Sequence, residues 1–381
     1  MKIKNITLIS LNFYPENTAI GLYSTQFAEY LNDNGYNVSV ITAFPYYPQW
    51  RISENYKSKP KFLKENYKGI SIYRYKQYTP SNPTFLKRIV HILDFTIGSY
   101  FNTKKTQDCD LVISVIPFTT SALLGNFLSK KHKSKSWIHI QDFEFDAAFQ
   151  SGLAFNKKGS FLYKLLMKFE RNVLNKADKV STISYSMIKK LQSKTASTTY
   201  FFPNWIDSQT IDPKKAKQHP LTASKKFKIL YSGSIADKQN WNLFLEIVEN
   251  INSQEYEFIL VGDGSAKVNL EEELKAFNIK IHPPVSYETL NDLLCGTDLH
   301  FLFQKEEILD TVMPSKILGM MASAKPSIVT GHKDSEVHKV LRDSNGGVYL
   351  TRATANTVIK EIEKAKQHPL TASKKFKILY S

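Results

Sequence analysis

Cysteine is nearly missing from this chain: Cys109 and Cys295 are the only two in 381 residues. Two thiols so far apart build no disulfide framework and no pair of zinc ligands, which points to a reducing, cytoplasmic setting. His, Cys, Asp and Glu never gather at metal-ligand spacing, so neither a metal nor another cofactor is expected. Long apolar runs are missing too. None approaches the ~20 residues that cross a bilayer, so the chain is expected to be soluble or to lie on a membrane surface. The opening MKIKNITLISLNFYPEN interrupts its apolar positions with Lys and soon turns polar, which fits a first β-strand and not an export signal. Acidic residues are in deficit, 35 against 51 Lys and Arg, for a formal charge of +16. That excess favours anionic partners: nucleic acid, anionic lipid or phosphorylated small molecules. The basic residues are spread along the chain and no nucleic-acid motif appears, so nucleic acid is not an expected partner.

What is present is ample apolar and aromatic material, 42% and 13% of residues, enough for large cores and for two domains. The first half alternates strand-like and helix-like segments. Its strands are NITLIS (5–10), NVSVIT (37–42), GISIYRY (69–75), DLVISVI (110–116), SWIHI (136–140) and KVSTIS (179–184), with a helix over 24–35 that ends at Gly35. A second series follows: FKILYS (227–232), YEFILVG (256–262), IKIHP (279–283), DLHFLF (298–303), PSIVTG (326–331) and GVYL (347–350). Short apolar strands separated by helices predict parallel sheets covered on both faces. The fold class is therefore α/β, two Rossmann-like doubly wound domains facing across a cleft at their strand C-termini. A polar stretch with two prolines, 206–226, marks a linker between an N-terminal domain over 1–205 and a C-terminal domain over 227–363. The tail, 364–381, repeats 215–232 without a single change. A sheet has one slot for that strand, so the second copy is expected to be disordered or packed non-natively. It reads as a recent duplication or an artefact of sequence assembly rather than a functional element.

Anion-binding chemistry concentrates in loops that follow strands. In VMPSKILGMMASAKPSIV (312–329) a loop turns into a helix that Pro326 ends before the next strand. Pro314 suits the helix start, Ser315 caps it or donates to a phosphate, and Lys316 puts a cation where the helix dipole disfavours one. A capped helix alone accounts for Ser315 but leaves Lys316 without a role; a phosphate at the same place accounts for both. YSGSIADKQNW (231–241) sets Gly233 and Ser234 between a strand and a helix, with Lys238 one turn into that helix. An ordinary turn with a solvated Lys fits that stretch equally. In LVGDGS (260–265), Gly262 and Gly264 let the backbone approach a flat ligand such as a base, although a plain turn also fits.

The first half adds FYPENTAIGLY (13–23), a loop with Gly21 near the next helix, fit to approach a diphosphate from the other side of the cleft. WIHIQDFEFDAAF (137–149) brings His139, Asp142, Glu144 and Asp146 to the C-terminal end of a strand, where a carboxylate can act as a general base. For any single one of them a plain solvated surface position fits better; Asp142 is the best placed of the four. FLKRIVHILDFTIGSYFNTKK (85–105) is aromatic and amphipathic with basic flanks. It fits a helix in an anionic membrane interface and a helix packed on the sheet equally well.

In this order the segments resemble the retaining GT-B glycosyltransferases of family 4, and within them the colanic-acid fucosyltransferase and O-antigen group. The likeness runs from LNFYPENTAIGLYSTQFAEYL through HIQDFEFDAA, FERNVLNKADKVSTIS, FPNWID, ILYSGSIADKQ, ILVGDGS and VMPSKILGMMASAKPSIVTG to SEVHKVLRDSNGGV, nearly to residue 360. It implies metal-independent transfer of a hexosyl group from a nucleoside-diphosphate sugar, GDP-fucose or a UDP-sugar, to a lipid-linked oligosaccharide acceptor. The setting would be capsule, exopolysaccharide or O-antigen biosynthesis on an anionic membrane surface, the inner face of the plasma membrane. By resemblance Gly21 faces the donor diphosphate from the N-domain, while Gly233, Ser234, Lys238, Pro314, Ser315 and Lys316 hold it from the C-domain. Gly262 and Gly264 border the nucleoside, Glu336 lies near the ribose or the sugar, and Asp142 lies near the reacting carbon. Lys316 would also stabilise the leaving group.

Two departures from the family pattern stand out. A spaced pair of glutamates common in the family is replaced by Thr311 and Gly319, with Asp310 beside the first. The duplicated tail stands where a helix crossing back onto the first domain is usual. These departures keep open the reading of a catalytically inactive assembly partner, and the two-domain cleft also suits a nucleotide-sugar epimerase of the same fold.

Overall fold

The computed structural model describes residues 2–17, 19–146, 161–206, 210–308, 315–344 and 346–368. The chain divides into two compact units, Met1–Pro203 and Asn204–Ser381.

In the first unit the order is β1 (Asn5–Ile9), α1 (Ala19–Asp33), β2 (Asn37–Ala43), α2 (Glu54–Lys57), β3 (Phe62–Tyr67), β4 (Ile70–Tyr75) and α3 (Phe85–Asn102). It continues with β5 (Leu111–Ile116), α4 (Thr119–His132), β6 (Lys135–Ile140), α5 (Phe161–Leu174), β7 (Lys179–Thr182), α6 (Tyr185–Gln192) and β8 (Thr198–Phe201). These strands form one sheet, β3-β4-β2-β1-β5-β6-β7-β8, parallel except for the β3–β4 pair. The central strands are buried on both faces, which is why their sequences are continuous apolar runs rather than alternating ones. Ile6 and Leu8 pack on one side with Ala28 and Leu31 of α1. Ile9 points the other way, to Leu124 and Leu128 of α4.

Strands β3 and β8 stand beyond those expected. The sequence of β3, FLKENY, is half polar because it is an edge strand. A tight turn at Lys68 and Gly69, both at positive φ (49° and 89°), folds it back antiparallel on β4.

In the second unit the order is β9 (Phe227–Ser232), α7 (Trp241–Asn250), β10 (Tyr256–Val261), α8 (Lys267–Leu274), β11 (Ile281–His282) and α9 (Tyr287–Gly296). It ends with β12 (Leu299–Phe303), α10 (Ser315–Ala322), β13 (Ser327–Thr330), α11 (Glu336–Ser344), β14 (Gly347–Leu350) and α12 (Ala355–Gln367). The sheet is β11-β10-β9-β12-β13-β14, and every pair in it is parallel. Strand order reverses between β9 and β12, the switch point at which a doubly wound sheet places its ligand crevice, outside the strand C-termini.

The described part of the expected linker, 206 and 210–226, packs into this unit. Ile211 is fully buried, and Ala216 and Leu221 join it against Leu230 and Ile259. The start of the repeated segment takes two conformations. KAKQ at 215–218 forms a turn and loop after Pro213, whereas KAKQ at 364–367 completes α12. There Val358, Ile362 and Ala365 continue one apolar helical face into the core that holds Phe244 and Ile247 of α7. The rest of the tail, 369–381, lies outside the described residues.

Candidate functional site

At the crevice of the second unit the loops leaving β9 and β10 are in backbone contact. Gly233 N donates to Val261 O at 2.9 Å, Ile235 N to Asp263 O at 2.9 Å and Ala266 N to Ile235 O at 3.1 Å. Contact this close demands glycine. A Cβ on Gly262 would stand 1.9 Å from Gly233 O, and one on Gly264, whose φ is +157°, would stand 2.2 Å from Ile235 O. The bare backbone floors a cavity of about 220 Å³ lined by Ser232–Ser234, Val261–Asp263, Pro284, Val285 and Leu290. A glycine floor with aliphatic walls has the shape and polarity to take a flat ring.

The neighbouring loop, leaving β12, leads to α10, and Lys316 in its first turn reaches across to β9. Its Nζ donates to Tyr231 Oη at 2.9 Å and lies 4.2 Å from the centroid of the same ring. The Tyr231 hydroxyl in turn donates to Ser234 O. Trp241 and Phe303 pack the ring at 5.3 and 5.0 Å between centroids, and burial pushes the phenol well above its ordinary pKa, so it stays a neutral donor. Gly233 makes room for this bridge: Lys316 Nζ lies 3.0 Å from where its Cβ would be. Two segments 85 residues apart in sequence thus meet at one phenol. Tyr231 carries no mark in the sequence except its place as the last aromatic of a strand before Gly-Ser.

Other expected residues sit differently. Lys238 is not one turn into a helix: α7 begins only at Trp241, where Asn240 caps it by accepting from Leu243 N at 3.2 Å. Residues 233–239 are held as a loop instead, Ile235 by the β10 loop and Gln239 by a bridge to Gln304, which leaves Lys238 in an exposed turn. Ser234 is exposed, and Ser315 opens α10. Pro314, Asp310 and Thr311 lie outside the described residues. Glu336 opens α11 and is 1% exposed; the helix dipole favours its charge there, and Lys339 Nζ lies 3.8 Å away. At Gly319 a Cβ would stand 3.0 Å from Leu294 Cδ1, so a side chain there requires the end of Leu294 to give by a few tenths of an ångström.

In the first unit, the close approach at Gly21 is to Glu16: a Cβ there would stand 2.7 Å from Glu16 O. The buried Glu16 carboxylate ties two loops together. Oε1 accepts from Tyr46 N and Tyr47 N, both at 2.7 Å, and Oε2 accepts from Asn12 Nδ2 at 2.9 Å. Burial raises its pKa against these bonds. It borders a cavity of about 430 Å³ that also involves Tyr46, Tyr47, Arg51 and Glu54.

Among the four residues around the end of β6, only Asp142 faces solvent; its Oδ1 accepts from Phe143 N at 2.8 Å. His139 lies within β6 instead, 2.9 Å from Ser181 Oγ through Nδ1, and burial lowers its pKa to about 3, so it is neutral. Glu144 accepts from Thr119 N at 2.9 Å at the start of α4, and desolvation pushes its carboxyl up to about 8. Asp146 is tied to Lys190 at 3.0 Å and Lys194 at 2.6 Å, and Lys194 also pairs with Glu170.

Residues 226–367 match the family model of group 1 glycosyl transferases. A protein of Escherichia coli K12, named for colanic acid biosynthesis as glycosyl transferase WcaI, is 34% identical over 347 residues, 87% of this chain and 84% of that protein. Among solved structures, sucrose-phosphate synthase of Thermosynechococcus elongatus superposes with a TM-score of 0.71 at 14% identity, covering 98% of this chain and 92% of that one. HepE of Anabaena, solved with UDP and glucose, gives a TM-score of 0.65 at 12% identity, covering 100% of this chain and 95% of that one. At such identities the superpositions speak for the fold, two Rossmann-like domains of the GT-B type. With that fold, and with a relative so similar over most of both chains, the chain belongs to the family 4-like GT-B glycosyltransferases.

Proposed function

We propose that this enzyme transfers a hexosyl group, with retention at the anomeric carbon, from a nucleoside-diphosphate sugar to a lipid-linked oligosaccharide in surface polysaccharide biosynthesis, on the cytoplasmic side of the plasma membrane. The name of the E. coli relative supports the setting, and the UDP and glucose in the HepE structure support the donor class, GDP-fucose or a UDP-sugar. The observation that carries the reading is the Lys316–Tyr231–Ser234 bridge at the switch point, beside a glycine-floored cavity on its β10 side.

In this reading the second unit takes the donor and the first the acceptor. The base lies on Gly262 and Gly264, and the diphosphate lies at Gly233, Ser234 and Lys238 and at the start of α10, with Ser315 and Lys316. Helix N–H groups and the Lys316 ammonium stabilise charge as the sugar leaves. Glu336 serves the ribose or sugar side. The anomeric C–O bond to phosphate breaks, the bond to the acceptor oxygen forms on the same face, and the acceptor proton passes to the departing diphosphate. Asp142 orients the acceptor.

Thermal unfolding with UDP, GDP, UDP-glucose and GDP-fucose tests this. A ligand at a hundredfold excess over its Kd adds about 2.7 kcal/mol. A Tm rise with one nucleoside diphosphate and its sugar is expected, and Lys316→Ala is expected to remove most of that rise and most of the turnover while leaving the fold. No rise with any of the four, or full turnover in Lys316→Ala, would overturn the proposal.

A further inference from the structure

One face of the first unit is apolar where solvent meets it. On α3, Leu86, Val90, Leu93, Ile97 and Phe101 are between 47% and 63% exposed. Their spacing of three or four residues draws one stripe along an 18-residue helix, about 27 Å long. The opposite side of α3 meets the sheet: His91, Phe95 and Ser99 are fully buried, Phe95 against Leu11, Ala43 and Tyr46. Sheet packing therefore accounts for one side of this helix and, among the described residues, leaves the other without a partner.

The stripe continues onto the next helix. Leu123 and Phe127 of α4 are 39% and 41% exposed, and the rings of Tyr100 and Phe127 lie 5.0 Å apart, joining the two helices. Cations rim the patch: Lys87 at one end of α3, Lys104 and Lys105 past the other, and Lys130 and Lys131 at the end of α4, all exposed. The one acidic residue within α3, Asp94, is turned inward, accepting from Tyr75 Oη at 2.9 Å and Tyr78 N at 2.6 Å. No described helix is long and apolar enough to cross a membrane.

We propose that this face docks on an anionic lipid bilayer, with α3 lying in the plane of the headgroups. An apolar centre enters the acyl boundary and a basic rim meets lipid phosphates. Charge argues against a second copy of the chain as the occupant, since two such faces would set cationic rims against each other. The inference does not depend on the donor or the acceptor, and bare vesicles test it alone.

The full chain is sedimented with vesicles of phosphatidylcholine, and with vesicles of phosphatidylcholine and phosphatidylglycerol in equal parts. Affinity for the mixed vesicles is expected to exceed that for phosphatidylcholine by tenfold or more, and to collapse near 1 M salt, where screening falls to about 3 Å. Leu93→Asn with Ile97→Asn is expected to lower it about tenfold without changing the circular dichroism spectrum. Lys104→Gln with Lys105→Gln, beyond the helix end, does the same through charge and serves if the first variant misfolds. Absence of binding, or equal binding to both vesicle types, overturns the proposal. So does a dimer in gel filtration that Leu93→Asn with Ile97→Asn dissolves, which would make a second copy the occupant.

Discussion

Gly262→Ala adds one methyl group at the tightest contact of the candidate site. The new Cβ would stand 1.9 Å from Gly233 O, 3.0 Å from Gly233 C and 3.3 Å from Ile235 Cγ1. Its nearest neighbour is backbone and has no rotamer to escape into, so the Gly233 carbonyl must retreat by about 1.5 Å to reach an ordinary contact. That loop cannot retreat alone. Hydrogen bonds tie Gly233 to Val261 and Ile235 to Asp263, and the Ser234 carbonyl holds the Tyr231 hydroxyl that receives Lys316. Overpacking of this kind costs about 1–3 kcal/mol of stability. A displacement of about 1 Å in the groups that position a substrate lowers kcat/KM about a hundredfold. The assay is transfer from the donor that stabilises the protein, with nucleotide-induced Tm shifts alongside. Gly35→Ala is the control: its φ is +84° but nothing lies within 4 Å of the new Cβ, so backbone strain of roughly 1–2 kcal/mol is its whole effect. Wild-type kcat/KM and nucleotide binding in Gly262→Ala would refute the reasoning, because the two loops would then not need their contact.

Tyr231→Phe keeps the ring under the Lys316 ammonium but removes the hydroxyl between Lys316 and Ser234. About 1 kcal/mol of stability goes with the lost bonds; steady-state kinetics should show donor KM rising about tenfold, and an unchanged KM would count against the bridge. Lys194→Met leaves Asp146 and Glu170 without their shared cation in a buried place, so urea unfolding should show a loss of about 3–5 kcal/mol; a neutral result would mean that Lys190 compensates. Glu144 has a carboxyl raised from 4.5 to about 8, so between these values the folded state keeps a proton that the unfolded state has released. Stability therefore falls as pH rises through that window, and Glu144→Gln, which keeps an acceptor for Thr119 N, should flatten the fall. Parallel Tm curves for the two proteins from pH 5 to 8 would contradict this.

Strand and helix alternation was legible because central strands buried on both faces must be apolar throughout, and runs such as LVISVI and LHFLF admit little else. Edge strands were not: β3 buries none of its residues, and its half-polar sequence resembles a loop until β4 supplies hydrogen-bond partners. The same limit governs KAKQ, helical at 364–367 and irregular at 215–218, since four residues follow whatever apolar face precedes them. Glycines and Lys316 drew notice as residue types with unusual backbone freedom or unusual charge placement. Their partners did not, because Tyr231 and Glu16 act through contacts with residues far along the chain. Lys238 fell outside its expected helix for a related reason: the loop before it is pinned by β10 and β12, which no local pattern records. The sequence by itself determined two sheets, their order of elements and the loops rich in anion-binding residues, for these follow from local burial and helix-end chemistry. Only tertiary structure decided that Gly262 must be bare, that Lys316 meets Tyr231 and that a stripe of α3 stays uncovered, because each depends on which surfaces the packed sheet brings together and which it leaves to solvent.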